Sequence, residues 1–157
     1  MQQVSEGVVL EQAGLADLGD IMSVMQAAFD PQHGEAWNEA QCAGILTLPG
    51  SSLVVARVEG RPAGFALVRS VLQEAELLLL AVSPDFQRRS IGAALLAATL
   101  KAARADGVER LFLEVRETNS AAQFYEKAGF TVIGKRPNYY RSLDGSRRDA
   151  LTYAIQI

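Results

Sequence analysis

The chain has 157 residues, 49% hydrophobic and 21% charged, which is enough for one buried core and short for two domains. A net charge of −3 argues against nonspecific nucleic-acid binding, which needs an excess of Lys and Arg, while leaving room for a local basic patch. The single cysteine, Cys42, excludes an internal disulfide, and no apolar run approaches the roughly 20 residues of a membrane span.

In chain order, Val8 to Glu11 reads as a first strand. Leu15, Leu18, Ile21, Met22, Met25 and Phe29 recur at helical spacing and predict a helix ending near Ala28. A loop through His33 follows, then a second helix from Trp37 to Leu48, stopped by Pro49-Gly50. Ser52 to Val58 and Ala63 to Ser70 read as strands around the hairpin signal Glu59-Gly60-Arg61-Pro62, and Glu74 to Val82 as a third long strand. Ile91 to Ala105 is a helix rich in Ala and Leu, and Arg110 to Val115 a strand. Asn119 and Gly129 bound a further helix as N-cap and C-terminal glycine. Thr131 to Ile133 and Leu151 to Ile155 close the sheet. The expected fold is α/β, a mixed and mostly antiparallel sheet of about seven strands with helices on both faces.

The segment Gln87-Arg88-Arg89-Ser90-Ile91-Gly92 joins a buried-looking strand to an apolar helix. Arg88 and Arg89 bring positive charge to a helix start whose N–H groups have no intrahelical partner, which suits a phosphate-bearing ligand. A strand-to-helix turn with solvated arginines fits the same residues. It is neither a Walker A loop nor a dinucleotide fingerprint, since the required glycines and Lys-Ser/Thr are missing.

The same segment resembles the acetyl-CoA loop of the GNAT N-acetyltransferases, whose pattern is Gln/Arg-x-x-Gly-x-Gly/Ala. Gln87 and Gly92 fit it, and Ser90 stands where the first glycine is usual. Glycine there lets the backbone close on a pyrophosphate, whereas serine can cap the helix or bind a phosphate oxygen. Downstream, Leu113-Glu114-Val115-Arg116, Asn119, Phe124-Tyr125-Glu126-Lys127-Ala128-Gly129-Phe130 and Asn138-Tyr139-Tyr140 are similar, in order and spacing, to the ribosomal-protein alanine N-acetyltransferases of RimI type. The resemblance covers nearly the whole chain and implies one N-acetyltransferase domain over residues 1–157.

It further implies Glu114 as general base and Tyr125 as general acid. Leu80, Ala81, Val82, Arg88, Arg89, Ser90, Ile91, Gly92, Ala93 and Asn119 would bind acetyl-CoA, and Trp37, Tyr139 and Tyr140 would border the acceptor. By pattern alone, Glu114 is as readily a solvent-facing strand residue, Tyr125 a core aromatic and Asn119 a plain cap. Their joint occurrence with the Gln87 loop is what points to function. The chemistry suits the residue types. A terminal α-amine with a pKa of about 7.7–8.0 is partly neutral at pH 7, unlike lysine at about 10.4, so a carboxylate suffices as base.

The implied acceptor is a protein N-terminus, such as the alanine of a small-subunit ribosomal protein. Acetylation of a small amine or lysine, or a non-catalytic CoA-binding module, are the alternatives. No metal is expected, since no His/Cys/Asp/Glu cluster has ligand spacing, and neither a direct nucleic-acid nor a membrane partner is expected. Met1-Gln2-Gln3 lacks the basic and apolar stretches of a signal peptide, so a cytoplasmic location is expected.

Overall fold

The computed structural model describes residues 2–5, 7–30, 35–87 and 89–157. The strands are β1 (Gln2–Ser5), β2 (Val8–Ala13), β3 (Ser51–Val58), β4 (Arg61–Val71), β5 (Glu74–Val82), β6 (Arg110–Arg116), β7 (Thr131–Arg141) and β8 (Arg147–Gln156). The helices are α1 (Leu18–Ala28), α2 (Glu39–Leu46), α3 (Ile91–Ala105) and α4 (Ala121–Lys127). All eight strands form one sheet in the order β1-β2-β3-β4-β5-β6-β8-β7. The expected mixed, mostly antiparallel sheet is present, and the short edge strand β1 adds to the strands read from the sequence. The β3–β4 hairpin turns on Glu59-Gly60, both at positive φ (52° and 77°), as a two-residue turn of type I′ requires.

Two apolar layers cover the sheet. Ile21, Val24 and Met25 of α1 and Cys42 of α2 pack on Leu53, Val55, Phe65, Leu67, Leu79 and Ala81. On the opposite face Ile91, Leu95 and Leu96 of α3 and Tyr125 of α4 pack on Ala66, Val68, Leu77, Leu111, Leu113 and Val115. Gly64 lets α3 come this close: a Cβ there would stand 2.8 Å from the Ala81 carbonyl oxygen and 3.3 Å from Ile91 Cγ2. Arg57 on β3 holds the start of α1 to the sheet, donating to Glu11 at 2.5 Å, Asp20 at 2.9 Å and Asp17 at 3.3 Å.

One irregularity in β5 shapes everything downstream. Leu67 pairs with Leu79 and Val68 with Leu77, so Leu78 is an extra residue on β5, a β-bulge. A one-residue slip exchanges the faces of a strand. Ala75 and Leu77 accordingly lie in the α3 layer, while Leu79 and Ala81, at the same alternation, lie in the α1 layer. At the same place β5 leaves its parallel neighbour. The β5–β6 ladder runs only through Glu74↔Arg110, Ala75↔Leu111 and Glu76↔Phe112.

Several elements differ in extent from the sequence reading, and β8 starts at Arg147 rather than Leu151. The second helix starts at Glu39, because Asn38 caps it: its side chain accepts from Gln41 N–H at 2.8 Å, and Gln41 returns a bond to Asn38 N–H. Trp37 is therefore loop and not helix. β7 runs eight residues past the predicted end at Ile133, to Arg141, because a register break between Arg136 and Tyr140 lets pairing resume beyond Pro137 and Asn138, the latter at φ 56°.

Candidate active site

Beyond Glu76 and Phe112 the two parallel strands diverge, and a cleft of about 390 Å³ opens between them. Its walls are Leu77 to Val82 of β5 and Leu113 to Arg116 of β6, so the facing edges of both strands carry main-chain groups with no cross-strand partner. Glu114 and Tyr125 both line this cleft. Leu113 and Val115 point into the α3 layer, so Glu114 between them points to the α1 side of the sheet, whereas Tyr125 belongs to the α3 layer. The gap thus joins the two faces, with a carboxylate on one side and a phenol on the other.

The end of α4 fixes Tyr125. Phe130 N–H donates to the Tyr125 carbonyl at 3.1 Å and Gly129 N–H to that of Glu126 at 3.0 Å, with Gly129 at φ 104°. This is a Schellman closure, completed by edge-to-face packing of the Tyr125 and Phe130 rings, centroids 5.6 Å apart. The Tyr-x-x-x-Gly-Phe string is therefore a helix stop that aims a phenol. Burial pushes the Tyr125 hydroxyl above the ordinary phenol range, so it keeps its proton. Glu114 is ion-paired with Arg136, Nε to carboxylate oxygen 3.0 Å, and is itself mostly covered.

Asn119 stands one residue ahead of the N-cap, Ser120, yet its side chain still serves α4 by accepting from Ala121 N–H at 2.8 Å. Its amide donates to Glu35 at 2.8 Å, and Arg116 reaches the same carboxylate at 3.4 Å. Glu35, in the loop before α2, lines the cleft, and no periodicity or motif marked it in the sequence. Tyr140 also lines the cleft, with its hydroxyl 3.5 Å from the Glu114 carbonyl oxygen. Burial raises its hydroxyl too, and the nearby Glu35 and Glu114 add to the effect.

The other two residues expected at the acceptor lie elsewhere. Trp37 packs beside Met22, Met25 and Phe29 in a separate hollow under α1, because the start of α2 at Glu39 leaves it in the preceding loop. Tyr139 is half exposed, held between the Tyr140 ring and Arg136, because alternation along β7 turns it away from its neighbour.

A second hollow of about 510 Å³ continues from the cleft on the α3 side and shares Leu80, Val82, Gln87 and Ala121 with it. Ser90, Ile91, Gly92 and Ala93 at the start of α3 line it, with Phe86 and Phe124. Arg89 is exposed with its guanidinium over the Phe86 ring, as is that of Arg61, which the sequence did not single out. Arg88 and His33 lie outside the described residues. Free helix N–H groups, nearby arginines and an apolar floor fit a long ligand with a phosphate group and a thin tail reaching the cleft.

Ser90 corrects the expectation of a cap. It occupies the N-cap position at φ 58°, ψ 25°, in the left-handed region, and its side chain makes no capping bond. That region costs an ordinary residue roughly 1–2 kcal/mol, which is why glycine is favoured there. Ser90→Gly relieves that strain at the expense of about 0.5–1 kcal/mol of added unfolded-state entropy. The expected result is a melting point unchanged or raised by about 2–4 °C and an unchanged or lower KM for acetyl-CoA. A raised KM at unchanged melting point would instead assign the hydroxyl to the ligand.

Comparison with known proteins agrees with this geometry. The model of the acetyltransferase (GNAT) family matches residues 18–130. The [ribosomal protein bS18]-alanine N-acetyltransferase of Escherichia coli K12 is 44% identical over 99 residues, covering 62% of this chain and 66% of the relative. Its Haemophilus influenzae counterpart is 42% identical over 94 residues, covering 60% and 64%. The chain thus spans just under two thirds of the length of these curated relatives. The crystal structure of the ribosomal-protein-S18-alanine N-acetyltransferase from Escherichia coli superposes with a TM-score of 0.86 at 34% identity, covering 96% of this chain and 94% of that one. Ard1 from Thermoplasma volcanium gives 0.81 at 29% identity, covering 96% and 98%.

Proposed function

Because the chain belongs to the acetyltransferase (GNAT) family, we propose that residues 1–157 act as one domain that transfers the acetyl group of acetyl-CoA to the N-terminal α-amine of a protein. Its relatives are named for an alanine of ribosomal protein bS18; we take the N-terminal alanine of that protein as the acceptor and the cytoplasm as the site of the reaction. The observation that carries this reading is a cleft running through the sheet with Glu114 and Tyr125 on opposite sides of it.

Acetyl-CoA supplies an activated acyl group as a thioester. The hollow at Ser90 to Ala93 and the free edge of β5 at Leu80 to Val82 would hold it. Glu114, on the α1 side, takes the proton from the attacking amine, directly or through water. A C–N bond forms as the C–S bond breaks. Tyr125, on the α3 side, gives its proton to the leaving sulfur, whose thiol pKa is about 8.5. The phenol recovers a proton from solvent as the products leave. Asn119 and Arg116, both bonded to Glu35, hold the loop before α2 against the mouth of the cleft.

A panel of peptides with free or blocked α-amines, incubated with acetyl-CoA, tests the reading. One acetyl group on the α-amine, and none on blocked peptides that contain lysine, is expected. Wild-type kcat/KM should rise with pH towards about 8 as the α-amine loses its proton. Acetylation only of lysine or of small amines would replace the acceptor. Binding of CoA without any transfer would reduce the protein to a binding module.

A further inference from the structure

On the α1 side of the sheet, next to the cleft, lies a hollow of about 470 Å³ that no expected site residue touches. It meets the cleft at Leu78, the bulge residue, which lines both. Its floor is apolar, from Leu78, Phe112 and Ile45, and Leu72 stands exposed at its rim. Two polar groups of opposite sign face each other across it. Arg69 and Glu76 are register partners on β4 and β5, yet no ion pair joins them among the described residues. Arg69 Nε is buried with no acceptor. Glu76 has no ion-pair partner among the described residues: Arg110 pairs with Glu74 at 2.9 Å, and Arg136 pairs with Glu114 at 3.0 Å.

We propose that this hollow receives the second residue of the acceptor chain and selects a basic side chain there. The proposal rests on the reading that the acceptor is a protein N-terminus. Glu76 pairs across the sheet with Phe112, two residues from Glu114 on the same face, so it is a diagonal neighbour of the group that receives the amine. One extended residue advances a chain by about 3.3–3.6 Å, and a Lys or Arg side chain spans the rest. The stem of such a residue covers Leu78 and Phe112 while its charged head meets Glu76. An acidic residue would instead face the Glu76 carboxylate. Burial already pushes the Glu76 carboxyl up, Glu114 adds to this and Arg136 opposes it, so Glu76 gains from an incoming cation.

Three peptides that differ only at the second position, Ala-Lys, Ala-Ala and Ala-Glu, decide the matter with the full chain and acetyl-CoA. Wild type should rank them Lys, Ala, Glu in kcat/KM, with about tenfold or more between the extremes, mostly in KM. Glu76→Gln should bring that ratio near unity, and Glu76→Lys should invert it. Because Glu76 is only half-buried and the substitution keeps its size, Glu76→Gln should melt no lower than wild type, so its ratio is readable even if Glu76→Lys fails to fold. Equal rates on the three peptides, or a preference that survives Glu76→Gln, overturn the inference and leave α-amine acetylation standing. Absence of α-amine acetylation on every peptide removes both.

Discussion

Glu114→Gln should lower kcat by about 10²-fold or more while leaving the melting point close to wild type. The substitution keeps the size of the side chain and removes the proton acceptor. Its structural loss is small, because the only ion pair it breaks among the described residues is with Arg136, whose side chain is 60% exposed, and such pairs contribute under about 1 kcal/mol. Tyr125→Phe should cost a similar factor. The ring keeps its packing on Phe124 and Phe130, and the hydroxyl has no hydrogen-bond partner among the described residues to lose. KM for acetyl-CoA should move less for Glu114→Gln than for Tyr125→Phe, because Glu114 lies on the side proposed for the acceptor. A Glu114→Gln enzyme that melts early but keeps the wild-type rate per folded molecule would make the glutamate structural and remove the mechanism.

The second large effect is on stability and lies far from the cleft. Arg57→Ala should destabilise the fold by about 2 kcal/mol, or about 4–8 °C in Tm. Arg57 is 18% exposed in its side chain and bridges three carboxylates from two elements, so its removal leaves Glu11, Asp17 and Asp20 facing one another. The figure stays below the full cost of breaking a buried pair because the carboxylates are 27–43% exposed. Arg57→Lys should fall between, since one ammonium cannot fork to three acceptors. Added salt should narrow the gap by screening the remaining repulsion. A melting point for Arg57→Ala within a degree of wild type would show that the network contributes nothing net.

Much of this was legible in the residues, for identifiable reasons. The strands from Ser52 to Val82 and the helix from Ile91 to Ala105 are long and apolar and are bounded by clear turn residues, so composition and turn signals found them. Glu114 and Tyr125, which both line the cleft, were singled out because they sit in strings of residues with a family likeness. What escaped depends on distance in sequence. Glu35 matters only because folding brings it to Arg116 and Asn119, more than 80 positions away. Glu76 read as one polar residue in a strand, because nothing local says that β6 brings Glu114 beside it. Trp37 was read as the first residue of the second helix because the Asn38 and Gln41 cap, a purely local signal, was passed over. The bulge at Leu78 was invisible: Leu77 to Leu80 is an unbroken apolar run, and an inserted leucine among leucines leaves no mark in the pattern.

That three-pair ladder between β5 and β6 also decides what shape of guest the protein can accept. β1 to β5 form one leaf, and β6, β8 and β7 another, stitched together at one end only. Where the stitching stops, each leaf offers a raw edge of the kind that on a protein's outside recruits other strands and leads to aggregation. Here the edges face each other indoors, with α1 across one face and α3 and α4 across the other. A bulky or rigid body cannot reach them, and a second folded protein cannot add its own strand. Only something thin, flexible and lined with alternating donors and acceptors can lie between the leaves, so a hazard of sheet architecture becomes a filter for slender chains.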